Sequence, residues 1–248
     1  MKRTLKFVIL VVLAIPFIVT SCKKGENDPF ISLKSRNARL VGEWKISEST
    51  VSNTSNYTYD GSTYTQTTST VGSENVNDIS YTSTETVTET FTVGSNSTTT
   101  ITTTTGTGTI STNKITFEKD GVFKMEEIKT INFKETVEGQ SGISEWSEST
   151  NSLMNGIWYW AAENKTIETK NKEVIVFQIT SSFYSYTKTG DQTGDGSSTQ
   201  TYTGNDCPQM HYKIDKLTSK DMVIMEDDSY ASGDYSSTSS TISTLTKE

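Results

Sequence analysis

The stretch KITFEKDGVFKM, Lys114 to Met125, places two short alternating segments around a turn. A three-residue loop over Lys119–Gly121, with its glycine in the left-handed conformation, sets Phe117 opposite Phe123. A two-residue Asp-Gly loop sets Phe117 opposite Lys124 instead, which breaks the apolar face. The longer loop therefore fits better, and the stretch predicts a β-hairpin with one apolar face.

The same alternation recurs along the chain, where every second residue falls on the same face of a strand. It places three further sets of side chains on common faces: the threonines at even positions in YTSTETVTETFTV, Tyr81 to Val93; Ile175, Phe177, Ile179 and Phe183 in VIVFQITSSF; and Met210, Tyr212 and Ile214 in MHYKI. No long stretch has apolar residues at helical spacing, and at most a short helical turn is expected around Ser32 to Leu40. The pattern predicts half-buried antiparallel strands.

Residues 51–110 hold 22 threonines and 9 serines. Such a bias raises disorder as an alternative. Tyrosines, valines and Phe91 nevertheless recur through it at strand spacing, which a solvated linker does not need. We interpret the segment as long, exposed hairpins, and TKTGDQTGDGSSTQT, Thr187 to Thr201, as a further hairpin loop.

The phrase RLVGEWKI contains Gly42-x-Trp44 at the start of the first predicted strand. This resembles the lipocalin and calycin families, in which a Gly-x-Trp closes one end of an up-and-down barrel. Most of the mature chain also resembles the lipocalin-like lipoproteins of Gram-negative bacteria, through LVGEWKI, ITFEKDGVFKM, a second Gly156-x-Trp158 and a closing YKIDKLTSKDMVIMED. The resemblance implies an all-β, antiparallel up-and-down barrel of about eight strands, with the Thr/Ser-rich segments as long hairpins.

Lipocalins commonly pack an arginine from the last strand over that tryptophan, and this chain has no arginine after Arg39. We therefore expect Lys213 or Lys216 to cover Trp44, or the barrel to close differently. With Gly42, Trp44 is expected to be a structural plug, since a large buried aromatic contributes mainly packing.

Three aromatic residues are candidates for ligand binding. Trp158 and Trp160 are two apart and share a strand face, with Tyr159 on the other, and Tyr212 lies on an apolar face of its own strand. If they point inward, they line a pocket for a small apolar or amphipathic ligand. The alternative is that they fill the barrel and bind nothing.

The amino terminus predicts export. Lys2, Arg3 and Lys6 precede an apolar run, Phe7 to Val19, that is short for a membrane span. The following Val19-Thr20-Ser21-Cys22 resembles the lipobox of bacterial lipoproteins, which implies cleavage before Cys22 and attachment of acyl chains such as palmitate to it. Acyl chains hold a protein stably on a membrane when there are two or more.

Lys23, rather than an aspartate, follows the lipid cysteine. In enteric lipoproteins an aspartate there retains the protein at the inner membrane, so we expect an outer-membrane location, with the periplasmic or cell-surface side left open. The net charge is −8, and it becomes more negative once the basic signal peptide is removed. Such an acidic chain is a poor nucleic-acid binder.

Enzymatic motifs are absent from the sequence. His211 is the single histidine, so a His-Glu-x-x-His zinc site cannot form, and a Ser-His-Asp arrangement lacks a nucleophile elbow. Asp191 to Gly196 begins like an EF-hand loop, but Tyr202 stands where the glutamate ligand belongs. Cys207 lacks a disulfide partner if Cys22 is acylated, and it is expected to be partly buried and inert. We therefore expect no metal, cofactor or catalytic residues.

The sequence predicts three parts: a signal peptide over residues 1–21, a lipid-anchored flexible tether over 22–36, and a lipocalin-like barrel over 37–248. The leading hypothesis for its function is binding of a small apolar or amphipathic ligand inside the barrel. The alternative is a surface or periplasmic interaction module whose barrel is filled and whose Thr-rich hairpins meet a protein or glycan. A third, weaker hypothesis is a carbohydrate-active enzyme, because the carboxylate pairs of glycosidases meet only in the folded structure.

Overall fold

A computed structural model describes residues 35–59, 64–77, 80–161, 173–190 and 194–248. The signal peptide, Cys22 and most of the tether lie outside these residues. The described part consists of one short α-helix, one 3₁₀ turn (Gly204–Asp206) and eleven strands, namely α1 (Arg36–Leu40), β1 (Gly42–Tyr59), β2 (Tyr64–Asn77), β3 (Ser80–Val93), β4 (Asn96–Phe117), β5 (Val122–Val137), β6 (Ile143–Trp160), β7 (Val174–Thr189), β8 (Gly196–Thr203), β9 (Gln209–Leu217), β10 (Asp221–Ser232) and β11 (Tyr235–Lys247). The expected helical turn is present as α1.

The strands form a closed antiparallel β-barrel. Neighbours along the chain pair in turn from β1 to β7, the wall continues through β9, β10 and β11, and β11 pairs with β1. The wall therefore has ten strands within the described residues, and β8 lies outside that ring beside β7. The predicted all-β antiparallel barrel is confirmed, whereas the count of about eight strands is wrong.

The two additional strands come from the Thr-rich segment. At one end of the barrel, called the base here, Gly42–Trp44 of β1 pairs directly with Ile115–Phe117 of β4. Farther from the base, the β2–β3 hairpin is inserted between β1 and β4. The segment that we interpreted as long, exposed hairpins thus contributes two strands to the wall itself.

The predicted turn between β4 and β5 is confirmed. Phe117 pairs with Phe123, and Glu118 N–H donates to the carbonyl oxygen of Val122 at 2.9 Å, which leaves a three-residue loop. Gly121 has a φ of +91°, the left-handed conformation that the loop requires. The apolar face therefore continues from one strand to the next.

Side chains from α1 and eight of the strands pack together at the base. This base cluster consists of Leu40, Trp44, Ile115, Phe117, Phe123, Trp158, Ile175, Phe177, Ile179, Ile214, Leu217, Met222, Ile224 and Leu245. The aromatic rings are in direct contact: the centroids of Phe123 and Phe177 lie 4.8 Å apart, and those of Phe117 and Phe177 lie 5.6 Å apart. The inner faces predicted from alternation meet here, so the barrel is filled with side chains at this level.

One predicted face is interrupted by a bulge. Gly156 of β6 pairs with Ile179, but the preceding Asn155 pairs with Ser181, so Thr180 is an extra residue in β7. Beyond it, Phe183 lies on the outer face instead of sharing the inner face with Ile179. The expectation for Phe183 is wrong because a bulge reverses the alternation of the residues that follow it.

The outer face of β3 and β4 is a row of hydroxyl groups. Except for Thr88, which pairs with Ile101, the even-numbered threonines of β3 pair with threonines or Ser97 of β4. The hydroxyls of Thr90 and Thr99 lie 3.2 Å apart, and that of Thr92 donates to Ser97 at 3.3 Å. The Thr-rich chain forms paired strands because β-branched side chains suit a pleated surface.

No helix within the described residues is both long and apolar enough to cross a membrane.

Candidate functional site

The base of the barrel is closed by α1 and Trp44. The hydroxyl of Ser35 caps the helix by accepting a hydrogen bond from the amide of Ala38 at 3.2 Å. Immediately after the helix, Trp44 points into the base cluster with none of its surface exposed, and its Nε1 donates to the carbonyl oxygen of Leu40 at 2.7 Å. The tryptophan thereby joins the helix to the first strand.

A lysine from the last strand covers this tryptophan. The Nζ of Lys247 lies 5.0 Å from the centroid of the Trp44 ring and donates to the carbonyl oxygens of Arg39, at 2.7 Å, and of Val41. A cation beside the last carbonyls of a helix is favourable because those groups carry the negative end of the helix dipole.

The expectation that Lys213 or Lys216 covers Trp44 is wrong. Both lysines lie on the outer face of β9, because Lys213 pairs with Met225 and Lys216 with Val223, the outward positions of β10. Asp215, the extra residue of a bulge, lies on the β9 segment between the two lysines. Without that bulge the two lysines, three residues apart, would lie on opposite faces.

The three predicted ligand-binding residues lie in or against the base cluster. Trp158 is almost fully buried, and its Nε1 donates to the carbonyl oxygen of Glu118 at 3.1 Å. Trp160 meets it edge to face at 6.2 Å, and its own Nε1 donates to Asn37 at 2.8 Å. Tyr212 packs on Phe177 with ring centroids 5.3 Å apart. Their contacts are with other side chains and the backbone, and a ligand role for them stays a prediction.

Burial also affects the phenol of Tyr212. Its desolvation raises the pKa of this group above the usual value for tyrosine, and the negative charge of Glu226 adds to the effect. The phenol therefore stays neutral well into the alkaline range. Its oxygen lies 3.9 Å from the sulfur of Met210, on the same strand.

A cavity of about 390 Å³ lies farther from the base, between the inner faces of opposite walls. This upper cavity is lined by Ser49, Val51, Tyr81, Ser83, Thr84, Glu85, Thr104, Phe133, Glu135, Trp146 and Glu148. Tyr81 also belongs to a small buried cluster with Ile110 and Ile131, which lies between the cavity and the base. The cavity volume falls in the range of small-molecule sites.

Trp146 is the best-defined aromatic side chain of the upper cavity. It lies directly across the β5–β6 ladder from Phe133, and the two rings stack with centroids 5.3 Å apart. Its Nε1 donates to Glu148 at 2.7 Å, and the Nζ of Lys188 lies 4.7 Å from its ring centroid. These contacts hold the ring in one orientation, as a binding surface requires.

The lining combines three aromatic rings with carboxylates and hydroxyls. Aromatic faces accept an apolar body, and the carboxylates of Glu85, Glu135 and Glu148 accept hydrogen bonds from hydroxyl or amine groups. The arrangement suits an amphipathic ligand with an apolar body and hydroxyl or amine groups.

Sequence reasoning missed Phe133 and Trp146. The signal for Phe133 was present, since it continues the alternation of Phe123 and Met125 along the same strand. Its position opposite Trp146 depends on the register between β5 and β6, which their polar connection did not indicate. The pairing of these two rings therefore follows from the tertiary structure.

Within the described residues, His, Cys, Asp and Glu side chains do not group in threes in a way that could hold a metal ion. Asp191 to Thr193 of the EF-hand-like stretch lie outside those residues. Cys207 is a free, half-buried thiol packed against the base cluster, which agrees with the expected burial. His211 is exposed.

Comparison with known proteins gives little further information. No family model and no curated protein sequence matches the chain. Among solved structures, the chain is similar to the translocator domain of the autotransporter NalP from Neisseria meningitidis, with 11% sequence identity over 84% of this chain and 89% of that one, and a TM-score of 0.28. A score this low supports no conclusion about fold or function.

Proposed function

We propose that this chain is a lipid-anchored, lipocalin-like lipoprotein of the outer membrane that binds a small amphipathic ligand, and that it is not an enzyme. The observation that carries the ligand proposal is the upper cavity, where Tyr81, Phe133 and Trp146 face three carboxylates. An aromatic wall with a few polar groups is the usual composition of a small-molecule site. The proposed ligand-binding residues therefore lie above the filled base cluster.

The lipid anchor on Cys22 rests on the lipobox, and the outer wall supports it. A barrel that spans a membrane needs an apolar outward band. Between β3 and β4, the outward pairs are hydroxyl groups instead, with Ile101 as their one apolar member. A barrel held beside the membrane by acyl chains is consistent with such a surface. The position of Lys247 over Trp44 supports the lipocalin-like assignment, with a lysine in place of the arginine of that family.

A second candidate is a surface or periplasmic interaction module. The filled base cluster and the outward threonine rows favour it, since hydroxyl groups on the outer wall can meet a protein or a glycan. The two candidates differ in the use of the upper cavity. If the upper cavity binds no ligand, the threonine rows on the outer face of β3 and β4 become the proposed binding surface.

The experiment is a titration of the full chain in detergent with an environment-sensitive dye that carries an apolar body and an amine. We expect saturable binding at about one equivalent. Trp146→Ala should weaken it at least about tenfold, a loss of 1.4 kcal/mol or more. Trp158→Ala lowers stability but should leave the affinity of the folded protein within about twofold.

The same titration separates the alternatives. If Trp146→Ala and Trp158→Ala weaken dye binding equally, and circular dichroism shows that both variants are folded, the binding site includes the base. An absence of saturable binding to the parent protein would favour the interaction module.

A further inference from the structure

The strand β8 continues the line of β9 along the barrel wall. Both are antiparallel to β7: Val174–Gln178 pairs with β9, and Ser181–Lys188 pairs with β8. The 3₁₀ turn Gly204–Asp206 separates them. β9 and β8 together form one line beside β7. For the wall to close over its full height, β10 would have to pair with both of them on the side away from β7.

That pairing stops part-way. The ladder between β9 and β10 ends at Lys213 and Met225. Beyond it, within the residues that the structure describes, Glu226–Ser232 of β10 pairs with β11 alone and β8 pairs with β7 alone. All eight residues of β8 and all seven of Glu226–Ser232 are exposed, so no second layer covers either strand. The wall therefore has two open strand edges here.

An open edge presents unpaired backbone N–H and C=O groups to other chains. Proteins usually protect such edges with charged side chains, especially lysine, with proline or with a bulge. β8 contains no charged residue and no proline, whereas Glu226–Ser232 contains no basic residue or proline but carries three carboxylates. Their ladders with β7 and β11 are regular over these residues. The edge of β8 is therefore suited to accept another strand, and the edge of β10 is suited to a strand whose charge complements its carboxylates.

The edge of β10 has a specific charge. Glu226, Asp227 and Asp228 follow one another, and Glu226 and Asp228 share the inner face because they pair with the inward Thr241 and Ser239. A second copy of this chain is an unfavourable occupant, since pairing the same edges brings three carboxylates of each copy together in a chain whose net charge is −8. An occupant with basic side chains is favoured by the opposite charge.

We propose that the edge Glu226–Ser232 binds an extended segment of a partner protein that carries basic side chains at every second residue. The segment adds to β10 as a further strand, and its backbone groups pair with those of the edge. Its basic side chains lie on the inner face, beside Glu226 and Asp228. On this face β10 presents two carboxylates, whereas on its outer face it presents only that of Asp227. This surface is separate from the upper cavity.

The test uses the full chain in a non-ionic detergent and labelled decapeptides followed by fluorescence anisotropy. The probe alternates lysine and threonine. A second peptide has the same sequence and charge but carries a methyl group on every backbone nitrogen, so it cannot donate hydrogen bonds to the edge. A third alternates glutamate and threonine. We expect saturable binding of the unmethylated lysine–threonine peptide only.

Two matched variants locate the contact, because each removes one charge from the same strand. Asp228→Asn should weaken binding of the lysine–threonine peptide about two- to fivefold, as expected for an exposed ion pair. Asp227→Asn, on the outer face, should change it less than twofold, and Trp146→Ala should leave it unchanged.

Three outcomes would overturn the proposal. The first is equal binding of the N-methylated peptide, which would indicate attraction by charge alone. The second is no binding of the lysine–threonine peptide to a protein that is folded by circular dichroism. The third is a dimer in sedimentation that Asp228→Asn stabilises, which would make a second copy the occupant.

Discussion

At the scale of single residues, Lys247 links the last strand to the base of the barrel. Replacing it with methionine keeps most of its apolar stem but removes the hydrogen bonds to Arg39 and Val41 and the charge over Trp44. We expect Lys247→Met to lower the free energy of unfolding by about 1 to 3 kcal/mol, the range for losing hydrogen bonds from a charged group. Urea denaturation measures this difference.

The control for that substitution is Lys216→Met. Lys216 lies on the outer face, with an exposed ion pair to Asp221 at 3.6 Å, so its loss should change the stability by about 0.5 kcal/mol at most. Equal effects of the two substitutions would mean that Lys247 does not close the barrel.

Tyr212 gives a prediction for alkaline pH. In the unfolded chain a tyrosine ionises near pH 10, whereas burial raises the pKa of the Tyr212 phenol in the folded protein. Above pH ~10 the folded state therefore binds more protons than the unfolded state, and stability falls as the pH rises. The loss from this one group is about 1.4 kcal/mol per pH unit.

Tyr212→Phe should remove that part of the loss, so that its unfolding free energy declines less steeply than the parent's between pH 9 and about 12. Urea titrations at several pH values test this. Tyr202→Phe is the control, because Tyr202 is exposed. If Tyr212→Phe follows the parent curve, the phenol is not buried in the folded protein.

At the scale of elements, β4 depends on a close approach to β5 at Gly108. A Cβ added there would overlap the carbonyl oxygen of Thr130 and lie 2.7 Å from the Cα of Ile131, both of them backbone atoms. Gly108→Ala should therefore destabilise the protein by about 1 to 3 kcal/mol, the usual cost of overpacking. Thermal or urea unfolding measures it.

Gly142→Ala is the matched control on the β5–β6 connection. A Cβ there meets nothing within 4 Å, so we expect this substitution to be neutral or to stabilise by up to ~1 kcal/mol, through a less flexible unfolded chain. If Gly108→Ala is as stable as Gly142→Ala, β4 and β5 do not pack as closely at Gly108 as the structure indicates.

At the scale of the whole molecule, attachment to the membrane is expected to depend on Cys22 alone. Cys22→Ala should remain unacylated and lose stable membrane association, because the lipid supplies the attachment and the barrel does not. Cys207→Ala, which removes the other cysteine, should stay membrane-bound. Membrane fractionation compares the two. Persistent, tight association of a processed Cys22→Ala protein would refute the lipoprotein assignment.

The sequence by itself determined the antiparallel strands and the inner face at the base, and the barrel was implied by the resemblance to lipocalins. A period of two fixes which side chains share a face, and the turn at Lys119–Gly121 fixes one register, so the meeting of Phe117 with Phe123 could be predicted. Both signals are local. They hold as long as a strand is regular and its turn has a recognisable length.

Only the tertiary structure decided which lysine covers Trp44, where Phe183 points and which rings line the upper cavity. The bulges at Thr180 and Asp215 reverse the alternation within β7 and β9, and no local signal marked them. Phe133 meets Trp146, and Lys247 meets Trp44, only once the registers between strands and the closure of β11 on β1 are set. These contacts join residues across strands, so the pattern along one strand could not specify them.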